Sequence, residues 1–86
     1  MTFEKLNEPI EAIVHFNGKT IYLLKFKWNN RAYKVVKTMH KWTEREGQIK
    51  TVHFKSLADN SDLFEIVFNC ETFEWKIVNV QLAASL

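Results

Sequence analysis

Apolar and polar residues alternate with a period of two along most of the chain, which is the spacing of half-buried strands rather than of helices. Ile10, Ala12, Val14 and Phe16 alternate with Glu11, Ile13 and His15. Asn17-Gly18 then supplies a hairpin turn that tolerates positive φ. In the next run Tyr22, Leu24, Phe26 and Trp28 fall on one face, with Ile21, Leu23, Lys25 and Lys27 on the other. Asn29-Asn30 reads as a second two-residue turn, because asparagine accepts left-handed backbone better than other non-glycine residues. Tyr33 and Val35 resume the alternation beside Ala32 and Lys34, and it slips at Val35-Val36, where two apolar residues adjoin. One inserted residue exchanges the faces of a strand, so the slip predicts a bulge or strong bend near Val36. Thr43–Gly47 reads as a charged loop, and a fourth strand follows with Val52 and Phe54 opposite Thr51, His53 and Lys55. Beyond the turn-like stretch Leu57–Asp62, Phe64, Ile66 and Phe68 alternate with Glu65, Val67 and Asn69. After Cys70-Glu71-Thr72, Phe73, Trp75 and Ile77 alternate with Glu74, Lys76 and Val78.

These runs predict about six strands joined mostly by short turns, an antiparallel meander. No stretch of twelve or more residues carries a helical stripe, so the helix candidates are the terminal segments 1–8 and 81–86, outside a β core of residues 9–80. Ten of the twelve aromatic residues read as inward: Phe16, Tyr22, Phe26, Trp28, Tyr33, Phe54, Phe64, Phe68, Phe73 and Trp75. A sheet with one such face must cover it, and without a helix it curls on itself. The expected fold is therefore all-β: a six-stranded antiparallel meander curled into a roll or small barrel, forming a single domain over residues 1–86. With only two glycines and one proline, the composition suits the dense core that so short a chain needs.

The stretch Phe26-Lys27-Trp28-Asn29-Asn30-Arg31-Ala32-Tyr33-Lys34-Val35 carries a pattern F-x-W-x-G-x-x-Y-x-V, extended by Trp42 seven residues on. Together with Val52-His53-Phe54, Leu63-Phe64-Glu65-Ile66 and a terminal Trp75-Lys76-Ile77, this resembles a family of small bacterial β-domain proteins. The resemblance spans residues 9–80 and departs from the pattern at Asn30, where glycine is usual. It implies a compact β fold. The family has no established activity, so it implies no catalytic or ligand residue.

Charge adds a regional bias to this picture. Lys19 to Lys55 hold ten basic residues against Glu44 and Glu46, a local net charge of +8, whereas the remainder carries −6 and the whole +2. A single cysteine, Cys70, rules out an intrachain disulfide and points to a reducing compartment. The acidic start lacks the pattern of a signal peptide, and no apolar run exceeds four residues, so a cytoplasmic protein with no membrane span is expected. Enzymatic signatures are missing. Gly18 and Gly47 form no phosphate-cradling loop, and Cys70 sits beside Glu71, which disfavours its thiolate. His15, His40 and His53 follow no metal-ligand spacing, and Glu65 and Glu74 read as solvent-facing. No catalytic residue, cofactor or metal ligand is expected.

The one candidate surface is basic and aromatic: Lys34, Lys37, His40, Lys41, Trp42, Arg45 and Lys50. Two readings compete. In the first, the chain is a protein-interaction or accessory module, self-associating or not. Its motive is an outer-face apolar set, Ile21, Leu23, Val67, Val78 and Val80, with the tail Leu82–Leu86. The outward lysines then pair across strands with acids such as Glu11, Glu65 and Glu74. In the alternative, segment 34–55 binds single-stranded nucleic acid, its cations tracking phosphates and Trp42 stacking on bases. The two part on whether Trp42 and the cations share one exposed face.

Overall fold

A computed structural model describes the backbone of residues 2–83 and the side chains of residues 4–83. The period-two runs become seven strands: β1 (Thr2–Pro9), β2 (Glu11–Asn17), β3 (Thr20–Trp28), β4 (Arg31–Glu46), β5 (Ile49–Ala58), β6 (Leu63–Asn69) and β7 (Trp75–Leu82). They form one open antiparallel sheet ordered β1-β7-β6-β5-β4-β3-β2. The expected meander is β2 to β7. The seventh strand, β1, replaces the helix considered for residues 1–8, and Gln81 and Leu82 belong to β7. Residues 84–86 of the other helix candidate lie outside the described residues.

Two strands change partners part-way, and this curls the sheet. β1 and β2 lie at opposite edges, yet only Ile10 separates them. The Ile10 N–H donates to the Trp75 carbonyl at 3.0 Å, and the next residue, Glu11, already pairs with Lys27 of β3. One bent strand is thus flanked by β7 along its first half and by β3 along its second. The roll stays open in its hydrogen bonding but is bridged by the chain itself. β4 makes the matching exchange: Arg31–Lys34 pair with β3, and Val35 onward pairs with β5. Register shifts at Val35/Lys37 and Thr38/His40 mark the handover, where the sequence slip placed the irregularity. Bends and bulges of this kind let one strand serve two faces of a curled sheet.

Other bulges correct the sequence reading. Ile13 pairs with Lys25 but Val14 with Leu23, so Leu24 is an extra residue. The exchange of faces turns Leu23 into the core and Tyr22 outward, 47% exposed. A like shift in β7, where Ile66 pairs with Ile77 but Glu65 with Asn79, buries Val80. Of the expected outer apolar set, Leu23 and Val80 are therefore core and Ile21 packs against it. Thr43–Glu46 is strand, and the turn is Gly47-Gln48. Phe16 and Phe73, read as inward, are 62% and 74% exposed, Phe73 in a turn with φ of +62°.

The core closes around aromatic rings. Phe64 of β6 meets Phe26 at 5.1 Å, Tyr33 at 5.3 Å and Trp28 at 6.1 Å, so β3 and β4 fold over β6. Trp75 continues the cluster to Phe54 and Phe68. Each such ring removed from water stabilises the fold by about 1.5–3 kcal/mol. Beyond the handover β3 and β4 diverge, and Lys41 spans the fork: its Nζ donates to the Ile21 carbonyl at 2.9 Å and lies 5.5 Å over the Phe54 ring.

Candidate functional site

Register divides the seven basic and aromatic candidates between two faces. Lys41 pairs with buried Phe54, and Arg45 pairs with Lys50 four residues on, so these three lie on the inner face of the β4–β5 hairpin. Trp42 pairs with His53 and His40 with Lys55, which places them, with Lys37 and Lys34, on the outer face. The set expected to act together is therefore not one surface.

Nor is Trp42 a free stacking platform. It is half-buried, its ring stacks on His53 at 5.0 Å and 14°, and its Nε1 donates to Glu44 Oε2 at 2.9 Å. His53 Nδ1 lies 3.2 Å from Glu65 Oε2, and Nε2 lies 3.0 Å from Thr51 Oγ1 and 3.4 Å from Glu44 Oε2. Asn79 Nδ2 completes the chain by donating to Glu65 Oε1 at 2.9 Å. An ionised carboxylate only accepts, so Nδ1 carries a proton toward Glu65. The hydroxyl–imidazole–carboxylate order is that of a proton relay. Here, however, Nε2 faces a second carboxylate, and Trp42 covers the ring. The arrangement ties β4, β5, β6 and β7 together across their outer face. This cluster was missed from sequence, although counting back from the Gly47-Gln48 turn pairs Trp42 with His53 and Glu44 with Thr51.

A different set of cations does share a face. The Asn29-Asn30 turn has φ of 55° and 65°, the paired left-handed conformations that match hairpin twist. That turn sets Lys25 directly opposite Lys34 and Lys27 opposite Ala32. On the other side of β3, Lys27 faces Glu11, Lys25 faces Ile13, and Tyr22 faces His15 with ring centroids 6.1 Å apart. Between the lysines is a shallow hollow of about 360 Å³, lined by Glu11, Ile13, Lys25, Lys27 and Ala32. Among the described residues the contacts of a basic side chain with a carboxylate within 4.0 Å are those of the His53 ring, so no described carboxylate lies that close to the amines of Lys25, Lys27 or Lys34. Like charges directly opposite on a sheet destabilise it. The outer face of β2–β4 thus carries the directly opposed cations Lys25 and Lys34, with Lys27 alongside facing Glu11, beside an exposed tyrosine and histidine, chemistry suited to an anion bearing flat rings. The cross-strand acid partners expected for these lysines reduce to Glu11 opposite Lys27.

Among the described residues no group of three or more histidine, cysteine, aspartate or glutamate side chains is placed to hold a metal ion. Nor, among them, is any helix long and apolar enough to cross a membrane. Cys70 is half-buried in the β6–β7 turn, its N–H donating to the Lys50 carbonyl at 2.9 Å. No protein-family model, curated protein or solved structure matches the chain.

Proposed function

We propose that this chain is a small cytoplasmic binding module, without catalysis, whose outer β2–β4 face takes up single-stranded nucleic acid. The observation that carries the reading is Lys25 directly opposite Lys34, a repulsive pair with no carboxylate among the described residues to neutralise it. Phosphates between these two amines, with Lys27 alongside, relieve the repulsion, and Tyr22 and His15 offer rings on which bases stack. Relative to the sequence expectation, the surface moves from segment 34–55 to the face between β2 and β4; of the original candidates it keeps Lys34.

The test is titration of a fluorescent single-stranded oligonucleotide at several salt concentrations. Three phosphate contacts predict a log–log salt slope of about −2. Lys25→Glu and Lys34→Glu weaken binding and flatten the slope, Tyr22→Ala weakens it without changing the slope, and Trp42→Phe leaves it alone. Binding indifferent to salt, or unaltered by Lys25→Glu, overturns the reading. A protein partner is the second reading, and Phe73 favours it: an aromatic side chain 74% exposed and held in a left-handed turn conformation has the form of an interface anchor.

A further inference from the structure

The two edges of the sheet are built differently. β1 carries Glu4, Lys5, Glu8 and Pro9 and a register shift between Lys5 and Glu8, the devices that keep an edge strand from pairing with another chain. β2 carries one charge, Glu11, at its start and then reads Ala12-Ile13-Val14-His15-Phe16-Asn17. Its partner is β3 alone, and Ile13 and Phe16 are 58% and 62% exposed.

The hydrogen-bonding phase of β2 follows from its turn. A two-residue hairpin loop makes the flanking residues, Asn17 and Thr20, exchange both backbone hydrogen bonds. Alternation then directs His15, Ile13 and Glu11 toward β3, and the N–H and C=O groups of Phe16, Val14 and Ala12 toward the open edge. An antiparallel strand laid on that edge must meet these three residues in bonded pairs.

We propose that the occupant is a second copy of this chain, paired β2 to β2 about a two-fold axis at Val14. That register is self-complementary. Val14 bonds the partner's Val14, and small Ala12 faces the partner's large Phe16, and the reverse, on the inner side. Ile13 faces the partner's His15 on the outer side, and Glu11 faces the partner's Asn17. The three bonded pairs coincide with the three residues whose backbone groups the alternation directs to the open edge. A one-residue slip in the pairing puts inner residues opposite outer ones and is excluded by the pleat. The dimer joins the two outer β2–β4 faces into one six-stranded surface, with Lys25 and Lys34 repeated on either flank; the pairing itself requires no ligand.

Sedimentation equilibrium across a concentration series gives the first readout: a mass rising to twice the 10.2 kDa of one chain. Ile13→Lys brings like charges close to the axis and raises the dissociation constant at least tenfold, with an unchanged far-UV circular dichroism spectrum. The second readout fixes the register. Ile13 and the partner's His15 form a non-bonded pair, Cα atoms about 4.5 Å apart, within disulfide reach. Two Ile13 residues are diagonal neighbours at about 7–8 Å, beyond it. In a Cys70→Ser background, proteins bearing Ile13→Cys and His15→Cys therefore cross-link rapidly when mixed under mild oxidation, and slowly alone. A monomeric mass at every concentration, a dimer indifferent to Ile13→Lys, or cross-linking as fast alone as mixed overturns the proposal.

Discussion

Ser56 and Phe73 are residues at odds with their surroundings, in opposite ways. Ser56 lies on the inner face of β5, opposite Phe64 and fully buried, and its Oγ has no hydrogen-bond partner among the described residues. A buried hydroxyl left unpaired loses its hydration without compensation. Ser56→Ala therefore stabilises the protein by about 1 kcal/mol, read as a rise in the urea midpoint at constant slope. Phe73 adopts the φ of +62° that Gly18 and Gly47 also adopt, because its N–H donates to the Asn69 carbonyl at 2.8 Å to close the turn. A side chain with a Cβ costs about 1–2 kcal/mol in that conformation, partly offset by the extra freedom glycine has when unfolded. Exposed to this extent, the ring recovers little by packing on Phe68 at 6.1 Å. Phe73→Gly is expected to stabilise by about 0.5–1 kcal/mol, measured by the same denaturation. A loss of stability would mean that the Phe68 contact outweighs the backbone.

At the scale of strands and hairpins, turns and bulges differ in how legible they are. The Asn29-Asn30 turn announces itself by residue type, whereas the first hairpin turns at Gly18-Lys19, one residue beyond the expected Asn17-Gly18, because Asn17 still pairs with Thr20. Two-residue turns fix the registers of their hairpins: Lys25 against Lys34, Trp42 against His53. The alternation of Phe64, Ile66 and Phe68 and of Val52 and Phe54 likewise gives the core faces of β5 and β6 directly. What misled was the extra residue. Val35-Val36 betrays its bulge by an apolar doublet, but Ile21-Tyr22-Leu23-Leu24 is apolar on both faces, so nothing in it shows that Leu24 is the insertion. One unmarked bulge exchanged Tyr22 for Leu23 and so put an aromatic ring on the face that carries Lys25 and Lys34. Cross-strand charge tests that surface. Lys34→Glu turns a repulsive pair into an attractive one, and is expected to stabilise the fold by about 0.5–1 kcal/mol at low salt. The double change Lys25→Glu with Lys34→Glu restores repulsion and returns stability toward the starting value, a sign reversal that a double-mutant cycle isolates. Stability that rises as oligonucleotide affinity falls is the signature of a charge pair kept for binding; a destabilised Lys34→Glu protein would show that the two amines do not repel.

For the whole molecule, sheet order sets where the fold opens first. β5 and β6 have neighbours on both sides and bury Val52, Phe54, Ser56, Ala58, Phe64, Ile66 and Phe68. Their amides are expected to exchange with solvent only through global unfolding, whereas β1, paired to β7 alone, opens locally at lower free energy. The amides of Ala12, Val14 and Phe16 supply the discriminating case. In a lone copy they point away from β3 into water and exchange fast, with no opening required. In the two-fold pair each donates to a carbonyl across the axis, so protection grows with protein concentration. Alternate amides of β2, at Ile13 and His15, already face β3 and keep their protection at every concentration. Hydrogen exchange followed residue by residue at two concentrations therefore separates three outcomes. Concentration-dependent protection confined to Ala12, Val14 and Phe16 supports β2-to-β2 pairing. The same dependence along β1 relocates the contact to the other edge. Protection at those three residues that ignores concentration would mean that another part of the same chain covers β2.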